Sequence, residues 1–199
     1  PLDLGPQPHG QALSDDFSVD RFGTQWAFYD PEPGEADRVR CHGGRLHLRA
    51  KGSTPGDSSP ISCITGDHSY EVEVQVEIDA NVEAGLLLFY NRRLYAGLGI
   101  GPQGLMMHRY GLQRLRGAIP GQPEDANNAE RPDSLRIRLS NLRNILTIHT
   151  SRDNGATWQK FDVQMEVSGY HHNVAYDFLS LRPALYAAGQ GEARFSDFT

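Results

Sequence analysis

The sequence predicts an all-β fold, an antiparallel sandwich of the jelly-roll type in a single domain, on three observations. The first is strict alternation. Tyr70, Val72, Val74, Val76 and Ile78 fall on one face of a run whose other face is Glu71, Glu73, Gln75, Glu77 and Asp79, the period of a half-buried strand. The second is punctuation. With 21 Gly and 12 Pro in 199 residues, turn signals return about every eight to twelve residues, enough for about twelve to fourteen short strands. The third is that no stretch keeps helical periodicity over about three turns.

The elements follow in order. Residues 1–12 are rich in Pro, Gly and Gln, have no period and read as a linker, so the domain is expected over residues 13–199. Asp15-Asp16-Phe17 opens a first short strand, and Phe17–Trp26 and Asp30–Asp37 are loops. Val39–Ala50 is a hairpin turning at His42-Gly43-Gly44, with Leu46 and Leu48 inward. Gly52–Pro60 is a loop and Ile61–Thr65 a short strand. Tyr70–Asp79, Gly85–Tyr90 and Leu94–Ile100 read as a three-stranded meander of one sheet, turning around Asn81–Ala84 and at Asn91-Arg92-Arg93. Leu105–Tyr110 is a strand, and residues 117–133 are the least ordered in pattern. Alternation returns at Leu135, Ile137, Leu139 and at Leu146, Ile148, Thr150, and strands at Lys160–Val167, Phe178–Ala187 and Glu192–Phe198 close the chain.

The bulk composition excludes some functions. A net charge of −6 argues against nucleic acid, whose phosphates need clustered Lys and Arg, and favours a neutral ligand. No apolar run reaches the roughly 18–20 residues of a membrane helix. The chain opens at Pro1 without a signal-like segment, so it reads as an excised piece, and secreted and cytoplasmic bacterial locations both stay open. Cys41 and Cys63 form no C-x-x-C pair. Two buried thiols are expected, a disulfide between neighbouring strands being the alternative.

Several motifs carry possible chemistry. Ser151-Arg152-Asp153-Asn154-Gly155-Ala156-Thr157-Trp158 fits the Asp box, S-x-D-x-G-x-T-W, a hairpin device in which Asp153 takes turn hydrogen bonds, Gly155 supplies positive φ and Trp158 packs against the hairpin. The acids Glu71, Glu73, Glu77 and Asp79 share one strand face. Carboxylates spaced about 5–10 Å apart are what glycoside hydrolysis uses, but a solvated outer face is the expected role. His171-His172 point to opposite faces if extended and make a poor metal pair. Tyr170, His171, His172, Asn173 and Tyr176 together offer the flat rings and amide of a sugar-recognition surface. Tyr95 shares a strand face with Gly97 and Gly99, next to the bend at Tyr90 and Asn91. Small residues there leave either a ligand groove or room for tight packing. Gly99–Gly104 matches G-x-G-x-x-G but opens no helix and reads as a turn.

Five segments, Leu13–Ser18, Tyr70–Val74, Ala84–Asn91, Arg93–Ile100 and Ser168–Phe198, together resemble the C-terminal concanavalin-like β-sandwich of glycoside hydrolase family 43 β-xylosidases and arabinofuranosidases, also classed as carbohydrate-binding module family 91. The resemblance implies a non-catalytic module that binds xylan or xylo-oligosaccharide and serves an upstream propeller domain holding the catalytic acids. By order along the chain it places Tyr170–Phe178 at the loop that closes the catalytic pocket in such enzymes. It further implies a structural calcium where the first and last strands meet, at Asp16, the backbone of Gly44 and Asp197. The ligand residues expected are Tyr90, Asn91, Tyr95, Tyr170, His171, His172, Asn173 and Tyr176, with no catalytic residue. Two rival readings stay open: a jelly-roll glycosidase acting through the Glu71–Asp79 strand, and a purely structural interdomain module.

Overall fold

The computed structural model describes residues 10–116, 132–177 and 179–199. Most of the linker expected at residues 1–12, nearly all of the poorly patterned segment 117–133, and Phe178 lie outside the described residues. Among those described, fourteen strands form two seven-stranded sheets. The first carries, in spatial order, β1 (Ala27–Phe28), β4 (Ile61–Ser62), β13 (Arg182–Gln190), β6 (Asn81–Asn91), β7 (Leu94–Gly101), β8 (Gly104–Arg109) and β9 (Leu112–Arg116). The second carries β12 (Gln159–Glu166), β11 (Ile145–Ser151), β10 (Ser134–Leu142), β5 (Ser69–Ile78), β14 (Glu192–Ser196), β3 (Arg45–Arg49) and β2 (Val39–His42). All pairs are antiparallel. No helix among the described residues is long and apolar enough to cross a membrane.

The alternation of β5 works as its sequence predicts. Val72, Val74, Val76 and Ile78 are buried, and the three valines sit opposite Leu139, Ile137 and Leu135 of β10, cross-strand pairs of the kind that stabilise a sheet. Each side chain fully removed from water there contributes about 1.5–3 kcal/mol. Leu46 and Leu48 of β3, Leu146 and Ile148 of β11, and Phe195 of β14 complete this side of the core.

The expected meander is corrected. β5 and β6 belong to different sheets. The chain turns at Asp79-Ala80, where the Val82 amide donates to the Asp79 carbonyl at 3.2 Å, and β6 begins at Asn81, four residues earlier than expected. The reason lies in the composition of β6. Its run Ala84–Tyr90 is buried on both faces, as a central strand covered on both sides must be. Leu86, Leu88 and Tyr90 enter the sandwich core, while Leu87 and Phe89 join Tyr95, Ala184, Tyr186 and Ala188 in a second cluster on the outer face. Tyr29 covers that cluster, with its ring edge-on to Phe89 at 5.0 Å.

The second cluster also overturns the open groove beside Tyr95. A Cβ at Gly97 would lie 2.4 Å from the Leu86 carbonyl oxygen, and one at Gly99 would lie 2.1 Å from the Tyr186 hydroxyl. These glycines make room for neighbouring protein atoms, which is the tight-packing alternative.

The chain ends meet. The Asp15 amide donates to the Phe198 carbonyl at 2.8 Å and the Phe198 amide returns the bond at 3.0 Å, so the expected first strand is a single bridge. The Asp15 carboxylate accepts from the Trp26 indole at 3.0 Å, and Trp26 packs edge-on against Phe198. Cys41 and Cys63 are both free and buried; burial pushes each thiol up to about 11.

Candidate functional site: the β12–β13 loop and the cleft it borders

The loop between β12 and β13 folds locally around one helical turn, α1 (His172–Ala175). His171 caps it: its Nδ1 accepts the Asn173 amide at 3.2 Å, satisfying one of the donors a helix start leaves free. Tyr176 ends it in the left-handed region, φ 60°, and its amide donates to the His172 carbonyl at 2.7 Å. A tyrosine in that conformation is held by its surroundings. The holding residue is Asp177. Its Oδ2 accepts from Asn91 Nδ2 at 2.5 Å, and its carbonyl accepts the Tyr90 hydroxyl. Asn91 in turn shapes the β6–β7 hairpin, since its Oδ1 accepts the Arg93 and Leu94 amides, each at 2.9 Å. One asparagine thus ties the hairpin to the loop, and the Tyr176 ring beside it stands 86% exposed. Between hairpin and loop lies an open cleft of 530 Å³ bordered by Tyr29, Asn91, Arg92, Leu94, Val174 and Tyr176.

The expected ligand residues divide on burial. Tyr90, Asn91, Tyr95 and Tyr170 are buried. Tyr90 and Asn91 support the cleft from beneath. The Tyr170 hydroxyl accepts the Tyr110 amide at 2.9 Å, and its ring packs 5.5 Å from that of Tyr110. Tyr95 stacks on Phe89 at 5.6 Å and donates to the Gly111 carbonyl at 3.3 Å, so its face is not free for a sugar ring. His172, Asn173 and Tyr176 are exposed and His171 half-buried. Asp177 and Tyr29, which complete the cleft, escape sequence reasoning because nothing local marks them.

The acid ladder is neutralised. Glu73 accepts from Arg136 Nη2 at 2.8 Å and Arg138 Nε at 2.7 Å. Glu71 takes the Ser140 hydroxyl at 2.6 Å, Glu77 pairs with Arg45 at 3.1 Å, and Asp79 pairs with Arg194 at 3.0 Å. Burial works to raise the Glu73 carboxyl, but the hydrogen bonds and charges of Arg138 and Arg136 overcome it and hold it below the usual range. Asp79 is likewise held low, burial being outweighed by Arg194 and the Glu192 amide. A general acid in glycoside hydrolysis needs the opposite shift. At Glu73 and Asp79 the arginine pairing therefore works against the acid role that the glycosidase reading requires.

The Asp box is a turn device. Asp153 Oδ1 accepts the Thr157 amide at 2.8 Å and its Oδ2 the Thr157 hydroxyl at 2.6 Å, while the Ser151 hydroxyl donates to Oδ1 at 2.7 Å. With the Ser151 bond the largest cause, Asp153 falls to about 2. Gly155 has φ 91°. Trp158 lies against Gly155 and carries the Arg138 guanidinium 3.9 Å over its ring.

At the calcium positions, an added Gly44 Cβ would lie 3.9 Å from the Asp16 carbonyl oxygen, and Asp16 and Asp197 border one shallow pocket. The Asp16 carboxylate already accepts the Ser18 amide at 2.9 Å, and Asp197 lies 3.6 Å from Arg136. These three residues fall short of the six to eight oxygens calcium takes. Among the described residues no group of three or more His, Cys, Asp or Glu side chains converges, and the His171 and His172 rings stand 5.9 Å apart.

Comparison with known proteins places this geometry. The β-xylosidase C-terminal concanavalin A-like domain model matches residues 14–199. No curated protein sequence matches the chain. Among solved structures, the glycoside hydrolase family 43 protein BlXynB of Bacillus licheniformis superposes with a TM-score of 0.73 at 17% identity, over 97% of this chain and 40% of that one. The xylan β-1,4-xylosidase of Bacillus halodurans C-125 gives 0.68 at 17% identity, over 98% and 40%. A functionally unknown protein from Saccharomyces cerevisiae gives 0.57 at 14% identity, over 88% and 95%. The chain spans 40% of the two bacterial proteins. With the family model covering nearly every residue, this chain belongs to the β-xylosidase C-terminal concanavalin A-like domain family.

Proposed function

We propose that the chain is a non-catalytic module that recognises xylan or xylo-oligosaccharide and assists a β-xylosidase or arabinofuranosidase catalytic domain outside residues 1–199. The observation that carries this reading is the Tyr176 ring, exposed at the border of a cleft and fixed there by the Asn91–Asp177 hydrogen bond. A neutral polymer needs a flat face for its C–H surface and a few directed polar groups. Tyr176 offers the first, and Tyr29, Arg92 and Arg93 on the cleft border the second. Losing one stacked ring costs roughly 1–3 kcal/mol by analogy with stacked bases, about 5- to 150-fold in affinity. Tyr176→Ala should therefore lose most retention in a xylan affinity gel, while Glu73→Ala, on the opposite sheet, should be retained like the parent. Equal retention of all three removes the cleft as the site.

A second reading rests on the tether itself. A loop pinned at Asp177 suits contact with a protein surface as well as with a sugar. If the parent chain is never retained on xylan but binds a separately produced catalytic domain, and Tyr176→Ala weakens that association, the loop serves the neighbouring domain.

A further inference from the structure

On the other side of the same loop a second cavity, of 480 Å³, opens at the end of the sandwich between the two sheets. Its walls include Thr65, Val167, Tyr170 and Leu181, and its floor Tyr70 and Asn141. Ile64 and Leu179, 53% and 37% exposed, line it as well. Tyr70 and Asn141 face each other across β5 and β10. Both belong to the inward series of their strands, where the neighbouring members, Val72 and Leu139, are core residues. At this end of the sandwich polar groups replace them. Asn141 is 3% exposed and its Oδ1 has no hydrogen-bond partner, while the Tyr70 hydroxyl has the Asn141 and Thr65 side chains beside it. Buried polar atoms are nearly always satisfied, so a buried amide oxygen left unpartnered on a cavity floor points to something that fills it.

We propose that this cavity binds a neutral, hydroxyl-bearing ligand, a sugar unit or a small polyol, through Tyr70 and Asn141. The chemistry is selective. One bound hydroxyl can accept from the Tyr70 O–H and donate to Asn141 Oδ1 at once, which neither a pure donor nor a pure acceptor does. Burial pushes the Tyr70 hydroxyl up to about 12, with the nearby Asn141 and Thr65 side chains pulling the other way, so it keeps its proton at neutral pH. No Lys or Arg among the described residues lines the cavity, which disfavours an anion, and the apolar walls suit the C–H face of a ring. The volume far exceeds the roughly 30 Å³ of one water.

The test is a titration of the isotope-labelled chain with xylobiose and, separately, with xylitol, followed through the backbone amides of Gly66, Ser168 and Ser180. Saturable shifts at these amides are expected. Shifts with xylobiose alone identify a ring sugar, and equal shifts with both identify any vicinal polyol. Asn141→Leu should weaken the response at least about fivefold, the loss of one hydrogen bond. If Asn141→Leu does not fold, Ser180→Trp, at an exposed position, should abolish the same shifts by filling the cavity. No saturable shift with either probe, or an undiminished response in the variant that folds, overturns the proposal and leaves water as the occupant. Signals at Asn91 and Tyr176 report on the Tyr176 cleft separately, so either site can fail without the other.

Discussion

The hydrogen bond between Asn91 and Asp177 spans 86 residues and is the strongest structural commitment of the loop. Asp177→Ala removes the acceptor and leaves the Asn91 amide, buried at 4% exposure, without its 2.5 Å partner. An unsatisfied buried donor costs about 1–3 kcal/mol. Asn91→Ala removes more, because the Arg93 and Leu94 amides lose their acceptor as well. The double variant should not lose the sum. For groups in direct contact the coupling is about 0.5–3 kcal/mol, and with Asp177 on the surface a value near 1 kcal/mol is expected. In a domain of this size 1 kcal/mol moves Tm by about 2–4 °C. The assay is thermal unfolding of the four proteins, paired with hydrogen exchange at the Tyr176 amide, which should speed up in both single variants. Strictly additive Tm losses, or unchanged exchange at Tyr176, would refute the tether and with it the fixed position of the ring.

Three further outcomes follow from the same structure. Glu73 has its pKa depressed in the folded state, so its contribution is present above the ordinary carboxylate value of 4.5 and is lost as pH falls through and below it; Glu73→Gln should flatten the acid limb of a Tm–pH profile below about pH 4.5, and an unchanged limb would show the arginine pairs to be inert. Gly155→Val forces a β-branched residue to φ 91° at about 1–3 kcal/mol and should lower Tm without changing retention on xylan; loss of binding at unchanged Tm would make the Asp box functional. A calcium held at Asp16, Gly44 and Asp197 would stabilise the folded state by mass action, so excess chelator should lower Tm in the parent and not in Asp197→Ala, and a parent unmoved by chelator removes the ion.

The sequence discloses most where one local rule decides the outcome. The alternation of β5 names its buried face residue by residue, and the Asp box names its own hydrogen bonds. What it conceals depends on partners far away in the chain. Nothing within Asp79–Ala84 says that the chain leaves one sheet for the other, although the unbroken apolar run of β6 carries the signal that both its faces are covered. Gly97 and Gly99 look like an open face until Leu86 and Tyr186 arrive to fill it. Tyr95 and Tyr170 read as ligand rings by composition, and they are buried because Phe89 and Tyr110 pack on them. Tyr176 is recognisable by type and position, but its tether to the β6–β7 hairpin through Asp177 is not.

The measurement that bears most directly on the central claim is affinity electrophoresis of the unaltered chain in gels containing xylan, arabinan, glucan or mannan. The account predicts marked retardation in xylan and little in the other three. Migration unaffected by all four polysaccharides, or retardation equal in all of them, contradicts recognition of xylan by this module.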